Sequence, residues 1–102
     1  MDALAALADP TRRRIVELLA KGSLSSGQIA QEFPVSAPAV SQHLKALRRA
    51  RLVRVHVDAQ RRIYELNCAG IDEISAWLTD IRRLWGERLD TRESAALKGE
   101  PR

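Results

Sequence analysis

The sequence predicts a mainly α-helical fold with a small β-hairpin, and three observations carry this prediction. Two short helical segments, residues 25–33 and 36–50, are separated by a tight turn, which is the pattern of a helix-turn-helix. Two β-rich runs follow at residues 52–57 and 61–66, with the spacing of a hairpin. One long helix with a wide apolar stripe then begins at residue 70. Together they make a winged helix-turn-helix, which we expect to dimerise through its first and last helices.

The length and composition are those of one small domain. The chain has 102 residues, of which 45% are hydrophobic and 29% charged, so a packed core is possible. Only 4% are aromatic, so the core must consist mostly of aliphatic side chains. A domain of this size is marginally stable alone, and a partner subunit would help. We expect one DNA-binding and dimerisation domain over residues 1–91 and a polar, disordered tail over 92–102.

Charge and cysteine usage narrow the class of protein. Residues 12–66 hold eleven basic and four acidic residues, which indicates a surface for a polyanion in the middle of the chain. The single cysteine, Cys68, excludes an intramolecular disulfide and a multi-cysteine metal site. No run is apolar enough to span a membrane, and Met1 is followed by an acid rather than a signal sequence. We therefore expect a cytoplasmic protein with no membrane partner.

Start and stop signals define the first two helices. Residues 2–8 are strong helix formers but too few for a stable isolated helix. Asp9-Pro10 then supplies an N-cap and a first helical residue, and the helix is predicted to end at Lys21 with Gly22 as its cap. The arginines at positions 12–14 oppose the helix dipole, which suggests a use for their charge; an ordinary solvated turn is the alternative.

The helix-turn-helix has clear boundaries. Ser25 and Gln28 have the spacing of a capping box, Pro34 ends the first helix, and Ser36 caps a second helix that runs to Ala50. The second helix carries one apolar stripe, formed by Val40, Leu44 and Leu47. Its opposite face is polar and basic, with Ser41, Gln42, Lys45, Arg48 and Arg49.

The hairpin and the last helix complete the fold. Valines at 53, 55 and 57 alternate with Arg54 and His56, which is typical of a half-buried strand. The hairpin tip is expected at residues 58–61. His56 points outward and has no assigned role. The last helix is predicted over residues 70–89.

The polar face of the second helix predicts a DNA-binding surface. In a helix-turn-helix this helix enters the major groove, where its early residues meet base edges. Gln42 can pair with adenine, Lys45 can reach guanine, and Arg48 can neutralise a phosphate. Arginines at the hairpin tip, Arg61 and Arg62, can lie against a phosphate or in the minor groove. The alternatives are a solvated basic face, a purely capping Ser36, and a His43 that packs instead of contacting DNA.

Several motifs resemble the ArsR family of prokaryotic winged-helix repressors. They are Leu7-Ala-Asp-Pro-Thr-Arg12, Ser36-Ala-Pro-Ala-Val-Ser-Gln-His-Leu-Lys-Ala-Leu47, Leu52-Val53 and Arg62-Ile-Tyr-Glu-Leu66. The resemblance implies a homodimeric repressor that binds a double-stranded operator of imperfect two-fold symmetry. By position it assigns Ser36, Pro38, Ser41, Gln42, His43 and Lys45 to the recognition helix, and Arg61 and Arg62 to the wing.

The sequence departs from the family pattern at three places. Arg51 stands where glycine is common after the recognition helix, and must adopt a left-handed conformation at a cost or end the helix differently. Ala59 and Gln60 replace a glycine-bearing tip, which favours a wing longer or looser than a tight primed turn. Residues 25–33 and the last helix lack the Cys and His of metal-sensing members, so we expect no metal and no cofactor. The Trp77-Leu78 and Trp85…Arg88-Leu89 pattern is similar to the metal-independent branch, whose inducer the sequence does not reveal.

The apolar stripe of the last helix is too wide for the core of one copy. Pairing with a second copy would bury the surplus and set two recognition helices about 34–36 Å apart, one turn of DNA. The alternative is that both tryptophans cap the core of their own chain. The expected interface residues are Leu4, Leu7, Ile74, Trp77, Leu78, Ile81 and Trp85.

Other function classes have less support. A winged helix that docks protein or RNA would leave the polar recognition face unused. A thiol-responsive repressor using Cys68 is a further alternative, although a lone cysteine at a helix start is more often inert. No nucleophile motif or phosphate-binding loop indicates an enzyme.

Overall fold

The computed structural model describes the backbone of residues 1–96 and the side chains of residues 1–89. The predicted mainly α fold with a hairpin is confirmed. In chain order the elements are α1 (Asp2–Ala6), α2 (Pro10–Leu19), β1 (Leu24–Ser25), α3 (Ser26–Gln31), α4 (Ala37–Arg49), β2 (Val53–Asp58), β3 (Arg61–Leu66) and α5 (Cys68–Ala96).

The core lies between the first four helices and one face of the sheet. Fully buried aliphatic side chains come from α2, α3, α4 and the start of β2, and each contributes about 1.5–3 kcal/mol relative to exposure. Tyr64 of β3 is the aromatic member of this core. The largest completely buried side chains are Ile15, Ile29, Leu44, Leu47, Leu52, Val40 and Val53.

All three predicted N-caps form. The Asp9 carboxylate accepts the Arg12 N–H at 2.9 Å, Ser25 and Gln28 make the reciprocal capping box, and Ser36 Oγ accepts the Ala39 N–H at 3.2 Å. α2 ends at Leu19, before the predicted Lys21. The reason is that the last N–H groups bond three residues back, not four, and Gly22, at φ 151°, turns the chain toward β1.

The sheet has three antiparallel strands in the order β1-β3-β2. The sequence predicted only two, because β1 is a two-residue strand whose pairing with Tyr64 and Ile63 is non-local. The expectation of a loose wing tip is wrong. Asp58 pairs directly with Arg61, so the turn has two central residues, and Ala59 takes the left-handed conformation at φ 57° that glycine usually adopts.

α4 ends in a Schellman motif. The Arg51 N–H bonds to the Arg48 carbonyl and the Leu52 N–H to the Leu47 carbonyl, both at 3.0 Å. Arg51 therefore adopts the left-handed conformation, at φ 58°, which costs about 1 kcal/mol relative to glycine. Its guanidinium lies 3.0 Å from the Glu73 carboxylate of α5.

α5 is longer than predicted at both ends. It begins at Cys68 rather than residue 70, because the Asn67 side chain accepts the Ala69 N–H at 3.0 Å and caps the helix. Its backbone continues to Ala96, past the boundary expected at 91. The remainder of the predicted tail, residues 97–102, lies outside the described residues.

Gly70 is the point at which α5 lies directly on the end of α4. Its N–H donates to the Arg51 carbonyl at 2.7 Å, and a Cβ there would lie 2.6 Å from that oxygen and 2.8 Å from the Ala50 carbonyl. We expect Gly70→Ala to lower the free energy of unfolding by about 2–3 kcal/mol, because two backbone segments must separate. Urea unfolding at one protein concentration measures this.

The matched control for Gly70→Ala is Gly86→Ala, the same change in the same helix. A Cβ on Gly86 meets nothing within 4 Å, so this variant should equal or exceed wild type by up to about 1 kcal/mol. Equal effects of the two substitutions would show that the α4–α5 contact at Gly70 is not tight.

Candidate nucleic-acid interface

The face of α4 opposite the core is fully presented to solvent. Val40, Leu44 and Leu47 are buried, which fixes the rotation of the helix about its axis. The predicted site residues on the other side are exposed: Ser36, Pro38, Ser41, Gln42, Lys45 and Arg48. Together with Arg49, which is also exposed, this set is called the α4 face below. It contains no acidic residue.

Two cations of the α4 face, Lys45 and Arg48, are not paired within the part of the chain that the structure describes. Within residues 1–89, Lys45 and Arg48 have neither an ion-pair nor a hydrogen-bond partner. Arginines just beyond this face behave differently, because Arg51 pairs with Glu73 and Arg54 pairs with Glu65 at 2.7 Å. Lys45 and Arg48 are therefore available to an external ligand.

The wing places its two arginines on opposite sides of the hairpin. Residues paired across antiparallel strands point to the same side, and Arg62 pairs with Val57 whereas Arg61 pairs with Asp58. Arg62 is therefore on the side that carries Tyr64 against the core. Burial fades toward the tip, where Val57 is 69% exposed. Both arginines are exposed, but only Arg61 shares its side with a carboxylate.

His43 differs from the other predicted DNA contacts because it is mostly buried. Its side chain is 22% exposed, and its Nδ1 lies 3.7 Å from Asp9 Oδ2, in the N-cap of α2. The Arg12 backbone N–H, and after it the nearby His43, hold the pKa of Asp9 below its usual value. Sequence reasoning missed this contact, since no local pattern joins two residues so far apart in the chain.

One arginine of the cluster at the start of α2, Arg12, has a structural use. Arg12 Nε donates to the Ala6 carbonyl at 2.7 Å, which satisfies a carbonyl at the end of α1. The unfavourable placement against the helix dipole was the signal for this role. Arg14 forms an exposed pair with Glu17 at 3.8 Å, and Arg13 is exposed.

The predicted dimer surface is exposed along α5. Trp77 and Trp85 are 42% and 48% exposed, and Ile81 between them is 42% exposed, so neither tryptophan is covered by the part of the chain that the structure describes. Leu7 and Ile74, also expected in the interface, pack partly against the core of their own chain. The exposed apolar side chains on α1 and α5 are Leu4, Trp77, Leu78, Ile81, Leu84, Trp85 and Leu89.

Comparison with known proteins decides the family. The profile of bacterial regulatory proteins of the arsR family matches residues 9–55. The chain is 51% identical over 84 residues to the HTH-type transcriptional regulator Rv2034 of Mycobacterium tuberculosis, covering 82% of this chain and 76% of that protein. The chain belongs to the ArsR family.

Further relatives agree with this assignment. The transcriptional repressor SdpR of Bacillus subtilis is 37% identical over 73 residues, covering 72% of this chain and 81% of that protein. The solved structure of an ArsR-like transcriptional regulator from Rhodococcus sp. RHA1 superposes with a TM-score of 0.80 at 29% identity, covering 93% of this chain and 90% of that one. The chain is therefore a DNA-binding transcriptional regulator of a repressor family and not an enzyme, as predicted.

Two properties bear on signalling in this ArsR protein. Within the part of the chain that the structure describes, no group of three or more His, Cys, Asp or Glu is placed to hold a metal ion. Cys68 is a free, exposed thiol at the first residue of α5.

Among the described helices, none is both long and apolar enough to cross a membrane.

Proposed function

We propose that two copies pair through α1 and α5, and that the dimer represses transcription by occupying an operator with both α4 faces in successive major grooves. The observation that carries this proposal is the state of the α4 face. Its rotation is fixed by three buried side chains, while its Lys45 and Arg48 have no partner within the described chain. Such a face is suited to phosphates and base edges.

Six residues of the α4 face have proposed roles in DNA binding. Ser36, Pro38 and Ser41 belong to the end of α4 that approaches DNA, where small side chains permit close contact. Gln42 reads adenine through its amide, and Lys45 reaches guanine acceptors or a phosphate. Arg48, one turn further along, neutralises a phosphate.

Repression follows from occupancy of the promoter. A dimer bound to an operator that overlaps a promoter excludes RNA polymerase from the same stretch of DNA. Because its ligand is operator DNA, we place the protein in the cytoplasm.

The test is selection of bound fragments from host genomic DNA at near-physiological salt, without metal or ligand. Enrichment of a palindromic site supports the proposal. The proposal is contradicted if the folded protein enriches no site. It is also contradicted if the protein binds RNA of the same sequence as tightly as the selected DNA.

A double variant links the selected site to α4. Gln42→Ala with Lys45→Ala should abolish enrichment, whereas the matched pair Gln31→Ala with Lys21→Ala should not. Gln31 and Lys21 are also exposed but lie on α3 and after α2.

The two wing arginines, Arg61 and Arg62, should contribute unequally to operator affinity. We expect Arg62→Ala to weaken operator binding about tenfold and Arg61→Ala no more than about threefold, because the Asp58 carboxylate offsets the charge of Arg61. Fluorescence anisotropy with the selected operator measures both. Asp58→Asn is the control: it should strengthen binding and enlarge the effect of Arg61→Ala. Equal losses for the two arginines would contradict this asymmetry.

A further inference from the structure

His43 is on the recognition helix but does not share the exposure of its neighbours. Gln42 and Lys45 on either side are exposed, whereas the His43 side chain is 22% exposed and turned toward α2. On the opposing side, Asp9 is 31% exposed. The pair is therefore partly shielded from water, which strengthens its interaction relative to a surface pair.

A single carboxylate oxygen serves both helices. Asp9 Oδ2 accepts the Arg12 N–H at 2.9 Å, which caps α2, and the same atom lies 3.7 Å from His43 Nδ1. The carboxylate is held in place by its capping bond, and the pKa of Asp9 is held low by that bond and by His43. Asp9 is thus a fixed anion against the middle of α4.

We propose that Asp9 and His43 form a positioning pair that sets the orientation of α4 for DNA recognition. The inference rests on the proposed function and deepens it. Burial of Val40, Leu44 and Leu47 fixes which face of α4 is exposed, and the Asp9–His43 contact adds a polar interaction between α4 and the N-terminus of α2. That interaction is electrostatic, at 3.7 Å, and it joins a carboxylate held by its capping bond to the residue between Gln42 and Lys45.

Direct contact of His43 with DNA is the competing role, and it predicts the opposite result for Asp9. If His43 contacted a phosphate, removal of the nearby Asp9 carboxylate would strengthen binding to a polyanion. If the pair positions α4, removal of that carboxylate weakens binding to the operator, despite the gain in positive charge. The sign of the Asp9 effect therefore separates the two roles.

The experiment uses Asp9→Ser, His43→Leu and their combination in the full chain. Serine is as good an N-cap as aspartate, so α2 and the thermal midpoint should be preserved. We expect each single variant to weaken operator binding by about fivefold or more, and the double variant to bind no worse than either single one. Binding to unrelated DNA should stay equal or become tighter, a change that simple loss of folding would not give.

His43→Asn provides the conservative rescue. Its amide N–H can reach toward Asp9 from a position close to Nδ1, so this variant should bind the operator better than His43→Leu. In the Asp9→Ser background that difference should disappear.

Failure of the inference and failure of the proposed function are distinguishable. If Lys45→Ala weakens operator binding while Asp9→Ser matches or exceeds wild type, the positioning role is overturned and the function stands. Additive effects of Asp9→Ser and His43→Leu also overturn the pair. If wild-type protein selects no site on DNA, the proposed function falls, and the positioning role with it.

Discussion

The double variant Trp77→Glu with Ile81→Glu should be a folded monomer that no longer selects an operator. Both side chains are 42% exposed in the single chain and are absent from its core, so their replacement leaves the fold intact. Burying four glutamates in a symmetric interface is unfavourable, because each loses its hydration without a partner. Size-exclusion chromatography with light scattering measures the change in mass.

Loss of the dimer should cost at least about 10³ in operator affinity. A monomer keeps roughly half of the contacts that give dimeric regulators their specific affinities of about 10⁻⁸–10⁻¹¹ M. Binding to unrelated DNA, which depends on charge, should change far less. Anisotropy with operator and scrambled duplexes measures both quantities.

A matched control separates the effect of disrupting the interface from the effect of added negative charge. Ala76→Glu with Thr79→Glu introduces the same charges into α5, on its side away from the apolar stripe, where both positions are exposed. This control should remain dimeric and bind normally. If the Trp77 and Ile81 variant also stayed dimeric with wild-type affinity, the exposed stripe of α5 would not be the interface.

Much of the fold is predictable because its signals are local. The boundaries of α4 follow from one capping serine and one apolar stripe, and both appear in the structure where the sequence placed them. The capping box before α3 is equally local. The exposed α4 face follows from the same stripe, since a helix that buries one side must present the other.

The features that were missed depend on distant partners. β1 has only two residues, and it is a strand because β3 lies beside it. The tight wing tip was unexpected because Ala59 adopts a conformation that usually requires glycine, and the six paired positions of β2 and β3 impose it. Asp9 was identified only as a cap, because its second contact depends on how α2 and α4 pack.

Operator affinity should fall about 10³–10⁵-fold between 50 and 200 mM salt, as expected when roughly 6–10 phosphates are neutralised. The structure supplies a matching number of cations. The α4 face and the wing hold five exposed basic residues per copy, Lys45, Arg48, Arg49, Arg61 and Arg62, so two copies supply up to ten. Each cation bound to a phosphate releases condensed counterions, and added salt opposes that release.

Single substitutions should separate the residues that contact phosphates from those that read bases. Lys45→Ala removes two cations from the dimer, so the slope of log affinity against log salt should decrease in magnitude by about 1.8 if Lys45 contacts phosphates. Gln42→Ala is the uncharged control: it should weaken operator binding about tenfold or more while leaving that slope unchanged. Titrations at four salt concentrations resolve the two effects. If the operator affinity of the wild-type protein did not depend on salt concentration, the assignment of the α4 face to DNA would be contradicted. Cations on a DNA-binding helix act through phosphates or base acceptors, and contacts with phosphates make the affinity salt-dependent.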